Sequence, residues 1–419
     1  MIWTLVSLLL QYGAYSVLDN KIQGVLAPPP VASEHPVSLQ IQNTIPGFDF
    51  ENIQISYDMD YIAYMENGTF KVFNLKKERL VFEKKLPSAN DNTLGVLTYQ
   101  WLPDRDTLLY FYAKKNPNPI TYVNVYPQTP VQGKEALPQI SNIVPPRTED
   151  PSQTVEIRRE SPTAVLREKP VEPRIEKRYG NPQITELYSL ELANSDGDST
   201  PLDRFNQTID SFPAEGIIEE LVVSTTTNLI YLTVKNELSE LLLEIDVMKN
   251  VRNLNRSGET INNMATSDRY GTLFLDSKVG ETQQVIALSG NDRKIISKKT
   301  NDRIIGIRDG KVYLGEIENK NLVKIKTTED LLDLTVNPSL STEWTGSIPF
   351  DNVNTLIGAE GQVIIFNQYK AYIVTAGQLR EVNMYGESNY ISGDGTELIK
   401  LNRVGTSTVV ELHPLSPEI

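Results

Sequence analysis

The sequence predicts an all-β chain folded as a seven-bladed β-propeller, six blades being the alternative count, with a hydrophobic helix at the N-terminus. Three observations lead there. One pattern (apolar strand, acidic or glycine turn, apolar strand, polar turn, third strand) recurs seven times between residues 55 and 412. The strand after each first turn is apolar almost throughout, as a strand covered on both faces must be. The region from residue 48 to 419, less an insertion, leaves about 45 residues per copy, the length of one propeller blade.

The copies justify themselves in order. The first is "ISYDMDYIAYMENGTFKVFNL" (55–75), and the second is "YQWLPDRDTLLYFYAKK" (99–115) continued by "ITELYSLEL" (184–192). The next two are "LVVSTTTNLIYLTVKNELSELLLEI" (221–245) and "NMATSDRYGTLFLDSKVGETQQVIAL" (263–288). The last three are "IIGIRDGKVYLGEIENKNLVKI" (304–325), "LIGAEGQVIIFNQYKAYIV" (356–374) and "YISGDGTELIKLNRVGTSTVVEL" (390–412). Their first turns read YDMD, LPDR, TTTN, TSDR, IRDG, AEG and SGDG, and six of the seven carry an acid. Asp, Ser and Asn close such turns by bonding the backbone, and Gly supplies positive φ. A thin meander cannot exclude water alone, so copies must lean on one another, and a closed circle leaves no sheet edge exposed. "VSLQIQNTI" (37–45) is expected to complete the last blade beside "STVVELHPL" (407–415). A β-helix would need shorter, more regular rungs, and a sandwich would leave the recurring turn unexplained.

"SYDMDYIAYMENGTFKVFNL" and "WLPDRDTLLYF" with "TELYSLEL" resemble the blades of TolB-type, WD40-like propellers, whose repeats read strand, Ser-Pro-Asp-Gly turn, strand. Leu102-Pro103-Asp104-Arg105 comes nearest to that turn, and Thr225-Thr226-Thr227-Asn228 departs from it. The α/β domain that precedes the propeller in TolB has no counterpart between residues 19 and 50, so the resemblance implies the fold and not TolB's role.

Four segments follow: 1–20, a membrane anchor or uncleaved signal helix; 21–36, a Pro-rich linker; 37–419, the propeller; and 127–182, a Pro-rich flexible insertion within the second blade. Residues 2–18 are mostly apolar and would span about 26 Å as a helix, just short of a hydrocarbon core. Trp3, Tyr12 and Tyr15 suit interfacial positions, and proline after Ala27 disfavours cleavage there. The other reading is an amphipathic core helix. No Lys or Arg precedes the apolar run, which suggests a natural start upstream of Met1, and Lys21 follows on the outer side. In the insertion, ten prolines and alternating charges are expected to defeat both helix and ladder. Its apolar spots, Ile140, Ile143, Val144, Val165, Leu166 and Ile175, make it a candidate binding arm; the bland reading is a tolerated loop.

Composition removes several functions. A formal charge of −14 with pI near 4.9, and no basic stripe, disfavours nucleic acid as a partner. The absence of cysteine excludes disulfides, thiolate metal sites and thiol nucleophiles. His35 and His413 are the only histidines, so histidine metal cages and Ser-His hydrolysis are not expected. No Gly-x-Ser-x-Gly elbow, Walker or HExxH pattern occurs. Asp196 and Asp198 in "NSDGDST" read as turn residues rather than calcium ligands, because the glycine sits at the wrong offset. Trp101 and Trp344 read as side chains packed between sheets rather than ligand platforms. Asn67, Asn206 and Asn255 open N-x-S/T triplets, which matter only where the host glycosylates.

No catalytic, cofactor or metal residue is named, and no cofactor is expected. The function expected is a monomeric, membrane-anchored, extracytoplasmic bacterial propeller acting as a non-catalytic scaffold for a protein or cell-envelope polymer. The alternatives are an envelope glycan or peptide enzyme using acids at the channel mouth, and the sensor part of a longer protein.

Overall fold

A computed structural model describes residues 42–84, 92–125, 174–192, 200–330 and 334–415, apart from 238, 247, 249 and 336. The helix expected over 1–20, the linker at 21–36, His35, Asp196 and Asp198 lie outside those residues. Two compact units are present: one runs to Lys115 and resumes at Gln183, and the other is Asn116–Pro182.

In the larger unit β1 (Gln42–Pro46) comes first. Blade 1 follows as β2 (Glu51–Ile55), β3 (Tyr61–Glu66), β4 (Thr69–Asn74) and β5 (Arg79–Lys84). Blade 2 starts with β6 (Thr93–Trp101) and β7 (Thr107–Lys115). The smaller unit then contributes β8 (Ile120–Val125) and β9 (Arg174–Tyr179), after which β10 (Gln183–Glu191) and β11 (Leu202–Thr208) complete blade 2. Blade 3 is β12 (Ile217–Ser224), β13 (Leu229–Lys235), β14 (Glu240–Ile245) and β15 (Val251–Asn253). Blade 4 is β16 (Glu259–Thr266), β17 (Leu273–Val279), β18 (Thr282–Ser289) and β19 (Asp292–Ser297). Blade 5 is β20 (Asp302–Arg308), β21 (Lys311–Glu318), β22 (Asn321–Glu329) and β23 (Ser341–Pro349). Blade 6 is β24 (Asn354–Ile357), β25 (Val363–Phe366), β26 (Lys370–Thr375) and β27 (Gln378–Asn383). Blade 7 is β28 (Ser388–Ile391), β29 (Glu397–Val404) and β30 (Ser407–Pro414), with β1 as its fourth strand.

Period-two alternation explains why the blades stack. In β3, Ile62 and Tyr64 pack against Ile399, Leu401, Val410 and Leu412 of blade 7. Tyr61 and Ala63 point the other way, against Tyr99, Trp101, Leu108 and Tyr110 of blade 2. Among the described residues, seven such clusters of buried side chains form, each joining consecutive blades. Each large apolar side chain fully removed from water contributes about 1.5–3 kcal/mol, so the junctions hold the circle together. Trp101 and Trp344, each 6% exposed, belong to two of these clusters, as the sequence suggested.

Closure follows the expected pairing. β1 runs antiparallel to β30 with Gln42 opposite Glu411 and Ile45 opposite Thr408, and Ile45 is fully buried. Several hairpins turn on two left-handed residues, as at Asn67–Gly68 (φ 49° and 73°) and Asp309–Gly310 (52° and 72°), which matches the twist of the flanking strands.

One expectation is corrected. The span 127–182 was read as unable to support a ladder, yet Arg174–Tyr179 pairs with Ile120–Val125 from Val125↔Arg174 to Ile120↔Tyr179. This stretch lies between Pro173 and Pro182 and contains no proline, so its donors are intact. Ile175, singled out from sequence, is 65% exposed on this hairpin, as are Tyr122 (70%) and Tyr179 (75%). The other five apolar spots of the insertion lie outside the described residues.

Candidate functional site

The first turns of the blades share one end of the propeller, and those of blades 1 and 2, 3 to 5, and 6 and 7 are bonded to one another. Within a turn, serine and aspartate hold the backbone: Ser56 Oγ donates to Asp58 Oδ1 at 2.9 Å and accepts the amide of Tyr61 at 3.1 Å. Ser392 repeats the arrangement with Asp394 (2.5 Å) and Glu397 N (2.9 Å). Between turns, Asp58 N donates to Asp106 Oδ1 at 3.3 Å, Thr226 Oγ1 to Asp268 O at 2.6 Å, and Ala359 N to Asp394 O at 2.7 Å. The Asp268 carboxylate accepts both Asp309 N (2.5 Å) and Gly310 N (3.0 Å) of the following blade. The acids noted in the turn strings therefore order this face. Burial and the neighbouring Asp106 carboxylate together push the Asp58 carboxyl up to about 6.

At the junctions of blades 4, 5 and 6 this face opens into a cleft of about 430 Å³, lined by Arg269, Arg308, Asp309, Lys311, Tyr313, Glu329, Ala359, Glu360 and Gly361. Arg269 crosses from the turn of blade 4 onto that of blade 5, where a Cβ at Gly310 would stand 2.4 Å from the guanidinium. Glycine at 310 thus serves both the left-handed turn and this close approach. Lys311 Nζ pairs with Glu343 and lies 5.6 Å from the centre of the Tyr313 ring. That pairing raises the lysine's pKa. Among the described residues the guanidiniums of Arg269 and Arg308 take part in no ion pair or hydrogen bond. Two planar cations lining the cleft together with Glu329 and Glu360 make it amphoteric: it can hold a carboxylate by paired N–H donors and an ammonium or guanidinium by its acids.

These residues were missed as a site, although the strings TSDR, IRDG and AEG contain Arg269, Arg308, Asp309 and Glu360. The signal was a basic residue in the first turn of each of two consecutive copies, read only as turn chemistry.

The inner strands carry a second polar system. Neighbouring first strands belong to separate sheets, and side chains bridge them: Gln54 Nε2 donates to Tyr99 O (2.9 Å) and Asn263 Nδ2 to Ile304 O (2.8 Å). Glu220 Oε1 accepts Met264 N (3.0 Å), and Asp276 Oδ1 accepts Ile304 N (2.8 Å). Desolvation pushes Glu220 up to about 7 and Asp276 up to about 8, the latter helped by the nearby charges of Glu220 and Asp302. Asp276 is only 1% exposed, so it meets backbone and not solvent. His413 sits beside Glu411 at 3.1 Å. No group of three or more Asp, Glu or His among the described residues is placed to hold a metal ion. None of their helices is long and apolar enough to cross a membrane.

No protein-family model matches the chain, and the search of curated proteins finds no match. Solved structures do match. The β-propeller domain of Cps50 (Swd1) from Myceliophteria thermophila is 9% identical with a TM-score of 0.48, covering 88% of this chain and 98% of that one. TolB from Acinetobacter baumannii is 10% identical with a TM-score of 0.36, covering 86% and 78%. A prolyl endopeptidase is 13% identical with a TM-score of 0.44, covering 88% of this chain and 47% of its own. At these levels the blade count rests on the chain's own sheets. They are seven four-stranded meanders, β1 completing the last, and they agree with the TolB-type, WD40-like repeats read in the sequence.

Proposed function

We propose that this chain is a non-catalytic binding scaffold whose first-turn face takes a segment of a protein partner bearing both acidic and basic groups. The observation that carries the reading is the pair of guanidiniums, Arg269 and Arg308, without partners among the described residues in an amphoteric cleft. A propeller holds such groups on rigid turns, so little ordering cost falls on the site when a partner docks. In the same proposal the N-terminal helix holds the propeller at the outer side of a bacterial membrane, where the partner or an envelope polymer is met. The insertion that contains β9 adds a second contact through Ile175.

Affinity capture from native membranes tests this, using the full chain, the Arg269→Gln/Arg308→Gln variant and a chain lacking 127–182. Hydrogen bonds to charged groups are worth about 1.5–3 kcal/mol each, so the double substitution is expected to weaken capture at least about tenfold, and raised salt to weaken capture by the native chain. Recovery of the same proteins by all three chains would refute the reading. Protease added to intact spheroplasts is expected to degrade the propeller, and protection would remove the outward placement.

A hydrolytic second reading would draw on Glu220, which accepts the Met264 amide from the first strand of blade 3 and which burial pushes up to about 7. Release of reducing ends or free amines from isolated envelopes, abolished by Glu220→Gln, would favour it over the scaffold.

A further inference from the structure

Lys84 is the last residue of β5, the outermost strand of blade 1. Its ammonium enters a box of three tyrosine rings from blade 2, lying 4.5 Å from the centre of Tyr188, 5.0 Å from Tyr112 and 5.4 Å from Tyr110. The same ammonium donates to Asp203 Oδ2 and to Tyr110 Oη, each at 3.0 Å. Tyr110 Oη in turn donates to Asp203 Oδ1 at 2.6 Å. Tyr110 and Tyr188 are stacked with centroids 5.1 Å apart and planes 9° apart, and Tyr112 meets Tyr188 edge-on at 86°. Phe205 supports Tyr188 from the side at 5.6 Å.

Two of the walls are buried, Tyr188 is partly buried, and the occupant is more open than the first two. Tyr110 is fully buried and Tyr112 is 8% exposed, whereas the side chains of Lys84 and Asp203 are 22% and 27% exposed. Burial raises the phenols of Tyr110 and Tyr188, so both rings stay neutral and present their electron-rich faces. A surface ion pair needs one carboxylate and nothing more. Here the Asp203 carboxylate, the Tyr188 and Tyr112 rings and the Tyr110 hydroxyl surround the Lys84 ammonium, a composition by which proteins recognise alkylammonium ions; Lys114, paired with Glu186, lies 5.5 Å from the Tyr112 centre.

We propose that this box in blade 2 is a receptor site for alkylammonium groups, filled in the isolated chain by its own Lys84. An incoming lysine side chain or quaternary ammonium has to displace an occupant tethered at the end of an edge strand. The site lies apart from the first-turn cleft, and the inference stands or falls independently of it.

The test compares the native chain, Lys84→Ala and Lys84→Ala/Tyr188→Leu in tetramethylammonium chloride, in Nα-acetyl-lysine amide and in sodium chloride at equal ionic strength. Binding is read by titration calorimetry and by the unfolding midpoint. Lys84→Ala is expected to bind one or both organic cations at least about tenfold more tightly than the native chain, and to unfold at a higher temperature in them than in sodium. The additional Tyr188→Leu should abolish both effects. A preference for tetramethylammonium would identify a methylated ammonium as the ligand, and a preference for the lysine amide would identify a primary one. If Lys84→Ala does not fold in sodium, recovery of folding in the organic cation is the readout, and Lys84→Gln, which keeps part of the stem, is scored alongside. Equal responses to sodium and to the organic cations, or binding that survives loss of Tyr188, would overturn the proposal.

Discussion

Replacing Asp276 with asparagine should change the pH dependence of stability. The carboxyl is 1% exposed; its Oδ1 accepts the Ile304 amide at 2.8 Å, and its Oδ2 has no hydrogen-bond partner among the described residues. Burial, with Glu220 and Asp302 nearby, moves it from 3.8 to about 8. The folded pKa is raised, so between about 4 and about 8 the unfolded chain releases this proton while the folded chain keeps it. Stability contributed by the group is therefore complete below the unfolded pKa and is lost as pH rises, levelling off above the folded one. Each pKa unit is worth about 1.4 kcal/mol, so about 3–4 kcal/mol is lost between pH 5 and pH 8. Asparagine retains an acceptor for Ile304 and has no proton to release. Urea unfolding of the native chain and Asp276→Asn, followed by tryptophan fluorescence at pH 5, 6.5 and 8, should show the variant gaining about 3–4 kcal/mol relative to native across that range. Parallel curves, or a variant that falls behind as pH rises, would refute the assignment of a neutral buried acid.

Other outcomes follow from the same structure. Lys326, 7% exposed, holds Asp302 at 2.8 Å and Glu316 at 2.5 Å; Glu316 keeps Lys299 and Lys324, but Lys326→Met strips the fully buried Asp302 of its cation and should cost about 3–5 kcal/mol in urea unfolding. Lys326 first, with Lys324 and Lys299, holds Glu316 down at about 2, so the native chain should lose this contribution as pH falls from about 4.5 towards 2, and Lys326→Met should show a shallower acid slope. Ile45→Ala removes the fully buried anchor of the closing strand, at about 2–4 kcal/mol, and should speed amide exchange in β1 and β30 before other strands. Gly395 has φ +73°, and a Cβ there would meet Ile364 Cδ1 at 2.7 Å and Gly358 Cα at 2.9 Å; Gly395→Val should therefore lower the unfolding midpoint by several degrees, read calorimetrically.

The second strands were legible because they are covered twice. "TLLYFY", "LIYLTV" and "KVYLGE" are nearly continuous apolar runs, and a local turn string precedes each. The outer strands were harder to see: β5 reads RLVFEK with every residue at least partly exposed, so its alternation is weak. The hairpin strand β9 escaped because proline density was averaged over the insertion, hiding six consecutive residues without one. Lys84 gave no sign of its role, since Tyr112, Tyr188 and Asp203 lie far along the chain from it.

Taken alone, the sequence determined the propeller repeat with seven blades favoured over six, the split of the second blade by an insertion, and the strand that closes the circle. Those follow from patterns two to a few residues long, which the chain repeats. The sheets decided for seven. Tertiary structure decided which charges meet. Arg269, Arg308 and Glu360 come from three different blades, and Asp276 is pushed up to about 8 by its burial between the strands of blades 4 and 5. The free energy of a charge depends on what lies within a few ångströms and on how much water is excluded, and neither is written in neighbouring residues.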